Sequence, residues 1–146
     1  MSEAAEEANA RNTSDLLRLI DARFEEVSAE RVSGTVAADE RHHQPWGLVH
    51  GGLYTAAIET FATIGAFQSV RERGQQVVGV ANATDFLRPH RSGRLRVVGQ
   101  PVHHGRTFQL WRVEIRTEDE GKLVAHGQVR LQNLDPSAQY STGGSA

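Results

Sequence analysis

One carboxylate, Glu59, stands alone in a long segment without other formal charges. Between Arg41 and Arg71 it is the only Asp, Glu, Lys or Arg, and its neighbours are apolar or small. Burying a carboxylate is costly unless it is paired or protonated, and no basic residue in the segment can pair with it. A desolvated carboxylate can act as a general base or a nucleophile. We favour that role over a hydrogen-bonded core carboxylate or a solvent-facing position on an otherwise buried helix.

Two polar side chains near Glu59 could assist it. Thr63 follows by one helical turn, so its hydroxyl could orient the carboxylate or an attacking water. A threonine that is merely small enough for helix packing is an equally good interpretation. Gln44 precedes Glu59 on a loop, where its amide could donate a hydrogen bond to a substrate carbonyl. The alternative for Gln44 is an ordinary solvated loop residue.

The sequence His50-Gly51-Gly52 predicts the start of the helix that carries Glu59. The first backbone N–H groups of a helix have no internal partner and carry the positive end of its dipole. Two glycines let a ligand approach that backbone closely, so an oxyanion could be stabilised there. A tight turn without any ligand would use the same residues. We expect His50 to orient the loop rather than to titrate.

Basic residues crowd two of the predicted turns between strands. The first holds Arg88, His90, Arg91, Arg94 and Arg96, and the second holds His103, His104 and Arg106. A guanidinium group suits phosphates because its donors form a fixed fork, so the clusters indicate a handle for an anionic ligand. Any single one of these residues is more commonly the solvated end of a hairpin.

The composition excludes several other chemistries. The 146 residues include no cysteine, which rules out a thiolate nucleophile and a disulfide framework. The histidines lack paired metal-ligand spacing, so we reject a metal site, and there is neither a glycine-rich phosphate loop nor a G-x-S-x-G elbow. A net charge of −2 argues against general nucleic-acid binding. With no secretory signal and no membrane span, a cytoplasmic protein is expected.

The elements that must position these residues predict one α+β domain. Residues 1–12 are expected to be a disordered tail, residues 13–134 the domain, and residues 135–146 a second disordered tail. A short helix and a strand over about 25–38 come first. The helix from His50 to about Gly74 lacks a polar stripe and should be buried. Four strands follow, at about 76–86, 95–103, 107–117 and 122–131. A curved antiparallel sheet of about five strands would wrap the helix and leave apolar surface for dimerisation.

The string from Gly47 to Gly52, followed by an apolar helix with an acid seven residues after the second glycine, resembles the hotdog-fold acyl-CoA thioesterases. This superfamily includes the phenylacetate-pathway thioesterases. The longer string from His43, with Glu59 and Thr63, is similar to the branch of 4-hydroxybenzoyl-CoA thioesterases whose acid lies on the central helix. The resemblance covers about residues 16–133 and does not specify the substrate.

The resemblance implies roles for the residues already singled out. Glu59 would be the nucleophile or general base, the backbone N–H of Gly51 would polarise the thioester carbonyl, and Thr63 would assist the carboxylate or the water. Gln44 matches the supporting loop side chain, although many relatives carry Asn there. The residues that match the regions holding the CoA phosphates are Arg88, His104, Gly105, Arg106 and Thr107.

The resulting prediction is an enzyme that hydrolyses an acyl-CoA to the free acid and CoA. No separate cofactor is expected, because CoA is part of the substrate. An aromatic acyl group similar to 4-hydroxybenzoyl is the first choice, and a short or medium aliphatic group is the alternative. A hotdog hydratase would need a differently placed catalytic histidine. A non-catalytic acyl-CoA sensor usually has an attached DNA-binding segment, for which residues 1–14 are too short and too acidic.

The resemblance also implies a homotetramer built from two dimers, and the spacing of Gly51 and Glu59 predicts an active site shared between chains. The two residues are eight positions apart, or roughly 12 Å along a helix axis. One carbonyl needs its oxyanion donor and its attacking group each within about 3 Å. Two antiparallel central helices would bring Gly51 and Gln44 of one chain to Glu59 and Thr63 of the other.

Overall fold

The part of the chain that the computed structural model describes, residues 1–136, contains three α-helices and six strands. The helices are α1 (Glu3–Arg11), α2 (Asp15–Leu19) and α3 (Gly51–Val70). The strands are β1 (Arg23–Val27), β2 (Val32–Ala38), β3 (Gln76–Phe86), β4 (Gly93–His104), β5 (Phe108–Thr117) and β6 (Leu123–Leu134). All neighbours are antiparallel in the order β1-β2-β4-β5-β6-β3. This is the predicted α+β architecture with one strand more than expected.

The long helix α3 packs one face on the sheet and leaves the other partly open. Its buried face consists of Leu53, Tyr54, Ala57, Ile58, Phe61, Ala62, Gly65, Ala66 and Val70. A Cβ at Gly65 would lie 2.5 Å from the ring of the fully buried Trp111, so only glycine allows this close contact. The helix ends at a 3₁₀ turn, after which Gly74 has φ +68°. Burial of α3 on every side, as its composition predicted, is therefore wrong for the single chain.

The extra strand arises because the predicted strand over about 25–38 is a hairpin. β1 and β2 pair with each other, and the connection between them is closed by Ser28. The backbone N–H of Ser28 donates to the carbonyl of Arg31 at 2.8 Å, and its hydroxyl accepts from the Arg31 N–H at 3.0 Å. A serine that bonds its own turn in this way is a known turn signal, and the loose alternation of the segment concealed it.

The expectation that residues 1–12 are disordered is wrong, because nine of them form α1. Ser2 caps this helix, and Ala5 and Ala8 are buried against the domain. Asn9 accepts a hydrogen bond from the N–H of Phe24 at 2.8 Å and donates to the carbonyl of the same residue at 2.9 Å. Small alanines gave no apolar stripe in the sequence, yet they allow α1 to lie close against the backbone of β1. Of the predicted C-terminal tail, residues 137–146 lie outside the described part.

The two edges of the sheet differ in what covers them. At the β1 edge, α1 satisfies backbone groups of the strand: Asn9 bonds Phe24, and the hydroxyl of Ser2 accepts from the N–H of Val27 at 3.1 Å. At the opposite edge, β3 pairs only with β6 within the described residues. Its apolar side chains are open, with Val80 55% and Phe86 57% exposed. An uncovered, apolar edge strand is a ready surface for pairing with another strand.

None of the helices within residues 1–136 is both long enough and apolar enough to cross a lipid bilayer.

Candidate active site

The start of α3 presents one free backbone donor. His50 caps the helix, and its Nδ1 accepts from the N–H of Gly52 at 2.7 Å. The proton of the neutral ring is therefore on Nε2, which agrees with an orienting role. The N–H of Leu53 bonds the carbonyl of His50 at 3.0 Å. The N–H of Gly51 has no acceptor within residues 1–136, so it is available to a ligand at the positive end of the helix dipole.

Gly51 cannot be replaced by a larger residue without moving an aromatic ring. A Cβ at this position would lie 2.5 Å from Cζ of Phe86, which belongs to β3. The ring of Phe86 also lies 5.9 Å from that of Tyr54, measured between centroids. The glycine that the sequence suggested for close approach of a ligand is thus in contact with the end of the open edge strand.

The loop before α3 holds Gln44 beside Gly51. The N–H of Gln44 donates to the carbonyl of Leu48 at 2.8 Å, and its side-chain Oε1 accepts from the N–H of Trp46. Because Oε1 is occupied by the loop itself, the amide Nε2 is the group left to donate. Gln44 and Gly51 line the same cavity of about 310 Å³, as the sequence predicted for two donors that serve one carbonyl.

Arg88 and Tyr54 also line this first cavity. Arg88 was predicted from the basic turn, and its exposed side chain forms no ion pair within the described residues. Tyr54 was missed, because a tyrosine on an apolar helix gives no signal of a site. It is 3% exposed, its hydroxyl has no hydrogen-bond partner among the described residues, and burial raises the pKa of Tyr54 to about 12.

Glu59 and Thr63 lie in a second cavity, of about 520 Å³, on the outward face of α3. The carboxylate reaches the edge strand, since a Cβ at Gly79 would lie 3.0 Å from Oε1 of Glu59. Glu59 is nevertheless exposed in the single chain. The predicted desolvation of this carboxylate is therefore not present in one protomer, because α3 is covered by the sheet on one side only.

Among the threonines of this cavity, Thr63 is the one with a hydroxyl left for other partners. Thr60 donates to the carbonyl of Ala56 at 2.7 Å, and Thr55 donates to the carbonyl of Gly52 at 3.1 Å. The hydroxyl of Thr63, one turn after Glu59, makes no hydrogen bond in the described part of the chain. This pattern favours a functional role for Thr63 over simple helix packing.

The two cavities share no lining residue, so one chain holds the predicted groups as two separate halves. Gln44, Gly51 and Arg88 belong to the first, and Glu59 and Thr63 belong to the second. This separation agrees with the roughly 12 Å that eight helical residues span.

The second basic turn lies far from the first. His104, Gly105 and Arg106 line a cavity of about 400 Å³ together with Ser69 and Arg73, which are at the end of α3. The carbonyl of Thr107 accepts from the N–H of Asn133 at 2.8 Å and so fixes the turn. Arg88 is near the start of α3, whose 20 residues measure roughly 30 Å. A single chain therefore does not bring the two predicted phosphate-binding regions together.

Other arginines of the first basic turn have structural partners. Arg94 bonds Asp21 at 3.1 Å and Thr35 at 2.9 Å, and Arg96 bonds Glu25 at 2.7 Å. Arg94 also lines a cavity of about 730 Å³, which lies between α1 and the β1 edge and is lined by none of the predicted site residues. The structural alternative holds for these two arginines, and Arg88 remains the one with a free side chain in the first cavity.

Comparison with known proteins gives the family. Residues 47–124 match the model described as the thioesterase superfamily. Rv1847 of Mycobacterium tuberculosis, which carries a provisional esterase name, is 50% identical over 91 residues, and the match covers 61% of this chain and 64% of the relative. The chain thus spans less than two thirds of that relative. The 1,4-dihydroxy-2-naphthoyl-CoA hydrolase of Escherichia coli is 32% identical over 124 residues, with 85% of this chain and 90% of the relative covered.

Solved structures agree with the sequence matches. A thioesterase from Haemophilus influenzae superposes with a TM-score of 0.86 at 26% identity, covering 96% of each chain. The structure of Rv1847 gives a TM-score of 0.80 at 38% identity and covers 84% of this chain and 98% of that one. The predicted hotdog fold and its predicted class, thioester hydrolases, are thereby confirmed at the level of the family, while the branch stays a prediction. The chain belongs to the thioesterase superfamily.

Proposed function

We propose that this protein is an acyl-CoA thioesterase whose active site is completed by a second copy of the chain. The observation that carries the proposal is the layout of α3. Its start offers the free N–H of Gly51 beside the amide of Gln44, and its outward face offers the carboxylate of Glu59 beside the free hydroxyl of Thr63. Donors for an oxyanion and a carboxylate for attack are the two requirements of thioester hydrolysis.

A homodimer formed through the β3 edge would join the two half-sites. The edge strand is unpaired on one side within residues 1–136. Glu59 of the second cavity lies against Gly79 of this strand, and Phe86, its last residue, lines the first cavity. If the two β3 strands pair antiparallel, the two α3 helices lie side by side in opposite directions. Gly51 of one chain then approaches Glu59 of the other, and the partner covers a carboxylate that is exposed in the single chain. The expectation of a tetramer built from two such dimers stays a prediction.

In this arrangement each residue has one task. The N–H of Gly51 and the amide of Gln44 donate to the thioester oxygen and stabilise the charge that develops there. Glu59 of the other chain either attacks the carbonyl carbon, so that an anhydride forms and water later cleaves it, or removes a proton from an attacking water. In both routes the C–S bond breaks, CoA leaves as its thiolate, and the water that is consumed supplies the hydroxyl of the acid and the proton that ends on sulfur. Thr63 orients the carboxylate or the water.

The acyl group is proposed to be aromatic, with a short or medium aliphatic group as the second candidate. Support for the aromatic choice is the name of the E. coli relative, a hydrolase of 1,4-dihydroxy-2-naphthoyl-CoA. No separate cofactor enters the reaction, because CoA belongs to the substrate. Arg88 and the turn His104–Thr107 are proposed to bind the CoA phosphates, and a cytoplasmic location stays a prediction.

A thiol-release assay over a panel of acyl-CoAs tests the function directly. We expect hydrolysis of at least one aromatic or aliphatic acyl-CoA by the purified protein. We also expect Glu59→Gln to reduce kcat by about 100-fold or more, since it keeps the shape of the side chain and removes the attacking charge. Glu72→Gln is the matched control, because it makes the same substitution at an exposed carboxylate just beyond the end of α3 that lines neither cavity. Turnover by Glu59→Gln equal to that of the wild type would refute the mechanism.

A further inference from the structure

One side of the second cavity is formed by α2, whose residues have no role in the proposed catalytic mechanism. Leu16 and Leu17 of α2 line it opposite the residues of α3. Leu16 is 57% exposed on the single chain, which is unusual for a leucine in an anchored helix. The helix is held in place at both ends: the N–H of Leu17 bonds the hydroxyl of its capping residue Ser14 at 3.3 Å, and the N–H of Ala22 bonds the carbonyl of Leu17 at 3.2 Å. A fixed, exposed leucine beside a catalytic carboxylate is placed to contact a ligand.

A further contact links α2 to the catalytic loop. The carbonyl of Leu19 bonds Nε2 of His42 at 2.6 Å, while Nδ1 of the same ring accepts from the N–H of Asp39 at 2.9 Å. The ring is buried and ties the end of α2 to the segment just before Gln44. The position of the α2 wall is therefore set by the loop that holds a predicted oxyanion donor.

The lining of the second cavity is mostly apolar and carries a single negative charge. Leu16, Leu17, Ala56 and Ile64 are apolar, and two of the three threonines donate their hydroxyls to their own helix. Glu59 is the only charged residue of the lining, and no Lys, Arg or His takes part. A ligand group in this cavity would meet apolar walls and one negative charge. Such a site binds apolar groups and repels a second carboxylate, which would have to be desolvated beside the first.

We propose that Leu16 and Leu17 of α2 form the acyl-binding wall and restrict the enzyme to uncharged, bulky apolar acyl groups. This inference rests on the proposed thioesterase function and adds the substrate class. With the scissile carbonyl near Glu59, the acyl group extends between α2 and α3 and rests on Leu16. Acyl-CoAs that end in a carboxylate, such as glutaryl-CoA, are rejected because their terminal charge would lie between the apolar side chains of Leu16 and Ile64, at the α2 side of the cavity, where this chain offers no cation.

Steady-state kinetics of three variants on four substrates test the wall. The substrates are acetyl-, hexanoyl-, glutaryl- and 2-naphthoyl-CoA, and the variants are Leu16→Ala, Leu16→Arg and the control Leu19→Ala. Leu19 is also an exposed leucine of α2, at 41%, but it is not part of the cavity lining. We expect Leu16→Ala to lower kcat/KM for 2-naphthoyl-CoA by about 10-fold, with a smaller loss as the acyl group shrinks.

Leu16→Arg, which introduces a positive charge into the cavity, gives the sharper result. Leu16→Arg should raise the ratio of kcat/KM for glutaryl-CoA to that for hexanoyl-CoA by about 10-fold or more, because the new cation pairs with the terminal carboxylate. Leu19→Ala should keep the wild-type profile. Equal substrate profiles for Leu16→Ala, Leu16→Arg and the wild type would overturn the wall and leave the thioesterase function intact. A wild-type protein that hydrolyses none of the four substrates would instead refute the function itself.

Discussion

Two inactive variants should restore activity to each other if the active site is shared between chains. The first is Glu59→Ala, which removes the attacking carboxylate. The second is Gly51→Pro, which removes the backbone N–H while remaining compatible with the first turn of a helix. Loss of an oxyanion donor alone typically costs about 100- to 1,000-fold in kcat, and we expect at least as much for the carboxylate. Each parent should therefore be close to inactive.

The expected recovery follows from counting intact sites. In a mixed dimer one site receives the normal Gly51 and the normal Glu59, and the other receives both defects. Random assembly of equal amounts of the two chains makes about half of the dimers mixed, so about a quarter of all sites are intact. The same fraction applies if the dimers associate further into tetramers. Activity per chain should thus rise to about a quarter of the wild-type value.

The structure adds a control that the sequence did not suggest. A Cβ at position 51 would lie 2.5 Å from the ring of Phe86, so Gly51→Pro changes packing as well as hydrogen bonding. Gly51→Ala introduces the same Cβ and keeps the N–H. Because Phe86 is 57% exposed, its ring can turn outward, and Gly51→Ala should retain far more activity than Gly51→Pro.

The assay compares co-expressed chains with a mixture of the separately purified parents. Thiol release measures the activity of each sample, and native mass spectrometry measures the fraction of mixed dimers. Recovery should appear only in the co-expressed pool. The shared site is refuted if mixed dimers form at the expected level and the pool remains as inactive as its parents. That outcome would indicate a site contained within one chain, which the roughly 12 Å separation argues against.

Three further predictions concern binding and stability. Arg88→Ala and Arg106→Ala should each raise KM for a CoA thioester, because both side chains are proposed to contact the nucleotide end. KM for the matching pantetheine thioester should stay unchanged. An equal rise in KM for both thioesters would contradict this assignment. Gly65→Val should lower the free energy of unfolding by about 1–3 kcal/mol or more through overlap with Trp111, measured by urea denaturation. Asn9→Ala should cost about 1–3 kcal/mol in the same measurement, since it leaves the Phe24 N–H and carbonyl unpaired; an unchanged midpoint would show that water replaces both bonds.

The sequence predicted the elements that have strong periodicity or clear end signals. The helix that begins at Gly51, the strand over Gln76–Phe86 and the left-handed Gly74 agree with the structure, because a helix cap, an alternating run and a glycine stop are local features. The hairpin between β1 and β2 was missed because loose alternation concealed the turn closed by Ser28. The helix α1 was missed because it depends on contacts with a distant part of the chain. α1 is stabilised by Asn9 bonding to Phe24, 15 residues away, which no local pattern reveals.

The roles of the candidate site residues stay predictions, and their placement could be predicted from the sequence only in part. Gln44 and Gly51 do share one cavity, and Glu59 and Thr63 share another, as their spacing suggested. The composition of α3 wrongly suggested that Glu59 is buried in one chain. An apolar helix face can be covered by the sheet or by a second molecule, and a single sequence does not distinguish these two partners.

The uneven protection of the sheet edges supports the proposal that the site is divided between chains. α1 occupies the β1 edge and bonds its backbone, so this edge has little to offer another strand. Within residues 1–136, one side of the β3 backbone is unpaired, and the strand has exposed apolar side chains, among them Val80. Pairing through β3 is therefore the association that satisfies backbone groups and buries apolar surface together. Because Glu59 lies against Gly79 of this strand and Phe86 lies over Gly51, the same association would close both halves of the active site. Dimerisation and catalysis would then depend on the same edge of the sheet, and a variant that blocks β3 pairing would lose both together.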